Sequence, residues 1–243
     1  MKKAFLLSLG IVIGFSLFYL TDLKKLEDTE QQIIIGEIEE ESDNTEFFYQ
    51  DEFSFELYTP VYSQYPELPT GCEVTSLAVI LNYYGYNVDK VTLADNFLPK
   101  GKIGETNPWY SFVGNPRDEH SYGAYAPALV KTANDYLDSV NSTLEAYWVT
   151  SCDIEDLMKY VHKGYPVMIW VTMNMEQGYP STIWNIQDEK IQWHAKEHCV
   201  VLVGYTNQHY LVVDPMVQEV CYYPKTLVEL RFDELGNQGL VIY

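Results

Sequence analysis

The stretch Thr70-Gly-Cys72-Glu73-Val74-Thr-Ser-Leu77-Ala78-Val-Ile-Leu81-Asn-Tyr-Tyr-Gly85 decides how this chain of 243 residues folds. Val74, Leu77, Ala78 and Leu81 recur at i, i+3, i+4 and i+7, the spacing that lines one face of an α-helix, and Gly85 stands where such a helix stops. Cys72 therefore opens a helix. There the positive end of the macrodipole and the unpaired backbone N–H groups favour thiolate over thiol, so the spacing predicts a Cys72 of lowered pKa and nucleophilic character. A cysteine is as readily a small buried hydrophobe, so the assignment depends on partners elsewhere in the chain.

Working outward towards the C-terminus, residues 99–127 are rich in Gly, Pro, Asn and aromatics and read as a long ordered loop, a feature that in compact domains is usually functional. Residues 153–162 read as a short helix ended at Gly164. Strand-like runs follow at 165–172, 198–205, 210–214 and 219–223, rich in Val and Tyr and broken by turn residues. Helices first and an antiparallel sheet afterwards predict an α+β fold. His198 begins one apolar run and Asp214 ends the next, just before Pro215. In a hairpin centred on Thr206, residues whose numbers sum to 412 face each other, which sets His198 against Asp214 on one face. A two-residue turn at Thr206 and Asn207 would turn them onto opposite faces. The expectation is thus an odd-length loop, or a bulge of the same effect, with a ring nitrogen about 2.6 to 3.2 Å from the carboxylate.

Towards the N-terminus, residues 4–20 carry no charge and follow Lys2 and Lys3, so residues 1–25 read as a membrane anchor in preference to a cleaved signal peptide, with the remainder outside the cytoplasm. Residues 26–57 hold twelve Asp and Glu and no Lys or Arg. They read as an extended, self-repelling linker, with a propeptide or a cation-binding segment as lesser readings. The domain proper is then expected at 58–243. With 35 acidic against 15 basic residues and a net charge of -20, the chain would repel phosphate backbones, which excludes nucleic acid as a partner.

The string Gln64-Tyr-Pro-Glu-Leu-Pro-Thr-Gly71-Cys72-Glu73-Val-Thr-Ser-Leu-Ala resembles the active-site signature of papain-fold cysteine peptidases, in particular the single-domain relatives of the double-glycine (bacteriocin) leader peptidases. The likeness continues through Val113-Gly-Asn-Pro-Arg-Asp118, Ser121-Tyr-Gly-Ala-Tyr-Ala-Pro127, Glu197-His-Cys-Val-Val-Leu-Val-Gly204 and Tyr210-Leu-Val-Val-Asp-Pro215. It implies a helical half carrying the Cys, an antiparallel sheet half carrying His and Asp, and a cleft between them. It further implies Cys72 as nucleophile, His198 as base, Asp214 as orienter and Gln64 as an oxyanion donor. One departure is visible: in the leader peptidases the Gln stands six residues before the Cys, whereas Gln64 stands eight before Cys72, with Pro66 and Pro69 between.

The combined expectation is an anchored, extracytoplasmic thiol hydrolase that cleaves a peptide bond through an acyl-enzyme, with a peptide or protein substrate and no cofactor or metal. The alternatives are a catalytically silent module that grips a peptide or cell-wall fragment, and a peptidyl or acyl transferase. His194, four residues before His198, has no thiolate or carboxylate set at zinc spacing. Trp109, Trp184 and Trp193 are expected in loops beside the cleft. Cys152, Cys199 and Cys221 allow at most one disulfide.

Overall fold

The structure, a computed structural model, describes residues 54–243. The expected anchor and the acidic stretch up to residue 53 lie outside the described residues. Among those described, no helix is long and apolar enough to cross a membrane.

In chain order the elements are β1 (Phe55–Glu56), α1 (Cys72–Tyr83), α2 (Lys90–Asn96), β2 (Lys100–Gly101), β3 (Phe112–Val113), α3 (Ala126–Ser139), β4 (Ala146–Thr150), α4 (Ile154–Val161) and β5 (Val167–Thr172). The chain continues through β6 (Tyr179–Ile186), β7 (Glu189–Ala195), β8 (Glu197–Tyr205), β9 (His209–Asp214), β10 (Glu219–Pro224), α5 (Lys225–Glu234) and β11 (Gln238–Ile242). Helix α1 begins at Cys72 as its sequence predicts, and all ten residues from Cys72 to Leu81 are buried. A helix covered all round needs its polar side chains satisfied. Thr75 Oγ1 donates to the Gly71 carbonyl at 2.7 Å and Ser76 Oγ to the Cys199 carbonyl at 3.1 Å. The helix closes at Gly85, where the Tyr86 amide bonds the Leu81 carbonyl and the Gly85 amide bonds that of Asn82. Helix α2 is capped by the Asp89 carboxylate, which accepts from the Thr92 amide at 2.8 Å, and α4 by Asp153, which accepts from Asp156 at 2.9 Å.

The main sheet runs β10-β9-β8-β5-β11-β4, every pair antiparallel, and β1 adds to β8 beyond the end of β5. Side-chain alternation divides the core in two. Met168, Trp170, Cys199, Val201 and Val203 face α1 and α3, whereas Ile169, Val171, Val200 and Leu202 join Leu157 and Val161 of α4 and Val228 and Phe232 of α5. With helices on both faces, every residue of β8 is buried, which is why its sequence is an unbroken apolar run. Trp170 is wholly enclosed, and its Nε1 donates to the Ala124 carbonyl at 2.9 Å, tying the sheet to the segment before α3. At Gly204 two backbones approach so closely that an added Cβ would stand 2.1 Å from the Phe55 carbonyl oxygen.

The α+β arrangement holds: a helical half with Cys72 and an antiparallel sheet half with His198 and Asp214. Several expectations are corrected. Helices and strands interleave, since β4 precedes α4 and β11 follows α5. Strand β1, at residues 55–56, pairs with β8 and so belongs to the sheet. Trp184 and Trp193 sit in the β6–β7 hairpin rather than in loops, and the long loop contains the paired strands β2 and β3. The four cysteines are free thiols.

Candidate active site

The β8–β9 hairpin places His198 and Asp214. Its turn is even: Tyr205 pairs with Tyr210, and the Thr206 amide donates to the His209 carbonyl at 2.8 Å. Taken alone, that register would separate the two side chains. A bulge between Leu202 and Gly204 then inserts one residue and restores the parity, so that Leu202 pairs with Val212 and Val201 with Val213. His198 and Asp214 end up on one face as expected, but diagonally, because one step further Asp214 stands level with Val200. The register of directly facing residues is thus corrected by two residues, while the contact survives. His198 Nε2 lies 2.8 Å from Asp214 Oδ1, both residues being 2 % exposed or less. Asp214 Oδ1 also accepts from the Met216 amide at 2.8 Å. Burial alone would raise the Asp214 pKa, yet the His198 hydrogen bond and charge and the Met216 amide hold it below its usual value. With Nε2 turned to the carboxylate, His198 Nδ1 is buried and has no hydrogen-bond partner among the described residues.

Cys72 is brought to the same place but into other company. Its Sγ donates to Glu73 Oε2 at 3.3 Å, and Glu73 Oε1 accepts from the Ala124 amide at 2.7 Å. The lowered pKa expected from the helix terminus is overturned. Burial, foremost, and then the charges of Glu73 and Glu197 push the Cys72 thiol well up, outweighing a hydrogen bond with the Cys199 backbone. Burial likewise raises Glu73 to about 7, and burial together with the neighbouring Glu73 raises Glu197 well above the ordinary carboxyl range. Neither acid could be assigned to the site from sequence. Glu73 looks like any exposed residue in a first helical turn, and Glu197 like the polar start of a strand. Their only signal is position, each being adjacent to a candidate catalytic residue.

Gln64 is 3 % exposed despite its spacing of eight from Cys72. The intervening residues fold into a compact turn, with the Leu68 amide bonded to the Gln64 carbonyl and the Gly71 amide to that of Leu68, so the two extra residues are absorbed. Gln64 Nε2 donates to the Pro69 carbonyl at 2.6 Å, and its Oε1 is buried without a partner. A cavity of about 270 Å³ is lined by Gln64, Cys72, Glu197 and His198, with Tyr122 and Trp193 on its walls. All of the expected residues except Asp214 line it, and Asp214 is reached through His198. His194 pairs instead with Glu234 at 3.3 Å.

The model of the peptidase C39-like family matches residues 56–240, well over half of the chain. The chain belongs to the peptidase C39-like family. The matched span runs from the second residue of β1 to the middle of β11, and so takes in the whole of this site. The uncharacterized protein YvpB of Bacillus subtilis is 30% identical over 183 residues, covering 73% of this chain and 70% of its own. A crystal structure of a candidate C39-like peptidase from Bacillus anthracis superposes with a TM-score of 0.71 at 32% identity, covering 79% of this chain and 98% of that one. The peptidase domain of Streptococcus ComA, a bifunctional ABC transporter of a quorum-sensing pathway, covers 76% of this chain and 97% of its own at 18% identity, with a TM-score of 0.46.

Proposed function

We propose that the protein is a cysteine peptidase in which Cys72 attacks a peptide carbonyl, His198 carries the proton and Asp214 orients the ring. The observation that carries this reading is the free Nδ1 of His198, fixed through Nε2 by Asp214, on the wall of the cavity that Cys72 also lines. A thiol held neutral at rest calls for general-base activation at the moment of attack rather than a standing thiolate–imidazolium pair. For acyl transfer Cys72 has to exchange its Glu73 partner for His198, and catalytic hydrogen bonds commonly tighten only when substrate binds. His198 then returns the proton to the leaving amine, and water resolves the thioester. A second N–H of Gln64 Nε2 and the Cys72 amide would receive the developing oxyanion, where losing one donor costs about 3 to 4 kcal/mol.

We also propose that residues 1–25 hold the enzyme to a membrane with its domain on the extracytoplasmic side; fractionation of the chain with and without these residues tests that. For the chemistry, the test is a peptide bearing a thiol-directed electrophile, followed by peptide mapping. Modification confined to Cys72, abolished in Cys72→Ser and slowed in His198→Ala, supports the peptidase. A single observation favours the reading as a silent peptide-binding cleft, namely that Cys72 is hydrogen-bonded to Glu73 and not to His198. Reversible peptide binding without any acyl-enzyme on rapid quenching would decide for it.

A further inference from the structure

The Cys72 sulfur, one Glu73 oxygen and one Glu197 oxygen lie within 4.8 Å of one another, all three residues buried. Glu197 is 4 % exposed, and its Oε1 has no hydrogen-bond partner. Among the described residues no Lys, Arg or His pairs with Glu73 or Glu197, although two carboxyls removed from water are costly unless a cation or a proton accompanies them. Room between them is kept by Gly123, since a Cβ there would come within 2.6 Å of Glu73 Oε1 and 2.8 Å of Glu197 Oε2. Cys72 and Glu197 also line the cavity, so an ion has a way in.

We propose that Cys72, Glu73 and Glu197 form a site for a thiophilic divalent cation, Zn²⁺ being the fitting one, and that its binding withdraws the Cys72 sulfur from acyl chemistry. A tetrahedral Zn²⁺ with bonds of about 2.0 to 2.3 Å needs donors roughly 3.3 to 3.8 Å apart. The Cys72–Glu73 pair at 3.3 Å already meets that spacing, and the Glu197 oxygen stands within 4.8 Å of both. The sulfur ligand selects against Ca²⁺ and Mg²⁺. On binding, the Zn–S bond forms as the thiol proton leaves to solvent, and any proton held by the two carboxyls leaves with it. Three protein ligands leave the fourth position to a solvent molecule in the cavity.

The inhibitory half of this inference rests on the peptidase reading; the binding half does not, and the test separates them. The full chain is titrated with Co²⁺ as an optical probe and with Zn²⁺ in competition, following thiolate-to-cobalt charge-transfer absorption and protection of Cys72 from alkylation. The expected result is a one-to-one band, absent in Cys72→Ser, with affinity lowered on the order of 10- to 100-fold in Glu197→Gln and in Glu73→Gln, and changed less than about threefold in His198→Ala. Two carboxyl variants are used so that a folding failure in one, seen by circular dichroism, leaves the other to decide. A band that survives both carboxyl variants but disappears in His198→Ala would mean a thiol–imidazole chelate and overturn the proposal, as would cobalt binding with no charge-transfer band. If the binding pattern holds while the metal-free protein hydrolyses no peptide, the peptidase reading falls and the metal site stands.

Discussion

Gly204→Ala is expected to destabilise the protein by a bounded amount, and the bound can be worked from what surrounds it. A Cβ at 204 would lie 2.1 Å from the Phe55 carbonyl oxygen, 2.9 Å from Glu56 Cα and 3.1 Å from the Phe55 carbonyl carbon, all of them backbone. The bulge beside Gly204 turns this position into the neighbouring strand instead of off the sheet. The molecule has two ways out. It can keep β1 and distort β8, at about 1 to 3 kcal/mol for overpacking. Alternatively it can release β1, losing the β1–β8 bonds and the Leu57 amide to Val203 carbonyl bond, at about 1 kcal/mol net each. Release also gives up the Phe55 ring contacts with His162 and Tyr205, at about 0.5 to 1.5 kcal/mol each, but returns roughly 1 to 2 kcal/mol of backbone entropy per freed residue. The cheaper route sets the cost, so about 1 to 2 kcal/mol is expected, or a fall in Tm of roughly 2 to 8 °C. The assay is a double-mutant cycle by thermal melting, in which the second change removes residues 1–57. In that background the alanine meets nothing and should cost under about 0.5 kcal/mol. Equal destabilisation in both backgrounds, or none in the full chain, would refute the close approach of β1.

Three further outcomes are expected. His198→Ala should lower peptidase turnover by about 10² to 10⁴, and Asp214→Asn by less, because the Met216 amide can bond only the oxygen of the new side chain and so keeps that oxygen turned to His198 Nε2; equal losses in kcat would show that the charge itself is needed. Asp89→Ala should cost about 1 kcal/mol at neutral pH, and because the cap hydrogen bonds hold the folded Asp89 pKa below its ordinary value, that advantage is present above about pH 4 and shrinks as pH falls through the folded pKa; urea melts at pH 7 and pH 3 that differ from wild type by the same amount would contradict this. Trp170→Phe should cost roughly 1 to 3 kcal/mol by leaving the Ala124 carbonyl unpaired, and a melt within 0.5 °C of wild type would show that bond to be dispensable.

How far the fold could be read from sequence follows from where each signal resides. The α1 pattern, the four strand runs and the residues His198 and Asp214 are local signals, and each appears where it was expected. The facing register was not legible because a bulge has no composition of its own: Val203 is one more Val in an apolar run. Helix α3 was hidden by Pro127, which reads as the end of a loop but stands in the first turn of a helix whose Leu129, Thr132, Ala133, Tyr136 and Leu137 are buried. The ionisation of Cys72 is not legible in sequence, because the helix terminus is visible along the chain while burial is not. The inward direction of Glu73 and the arrival of Glu197 from β8 depend on tertiary packing, and both oppose the helix-end effect.

Strand β11 lies between β5 and β4, although both of those are made well before it. Until it arrives, β5 presents a bare edge, rich in Val and Ile, to whatever strand is near. Completion of the sheet is therefore a late, non-local event, and such pairings are slow. At high concentration the vacant slot can be filled by the same segment of a second molecule, so refolding from denaturant at rising protein concentration should yield dimers that have exchanged β11, each with two complete cavities.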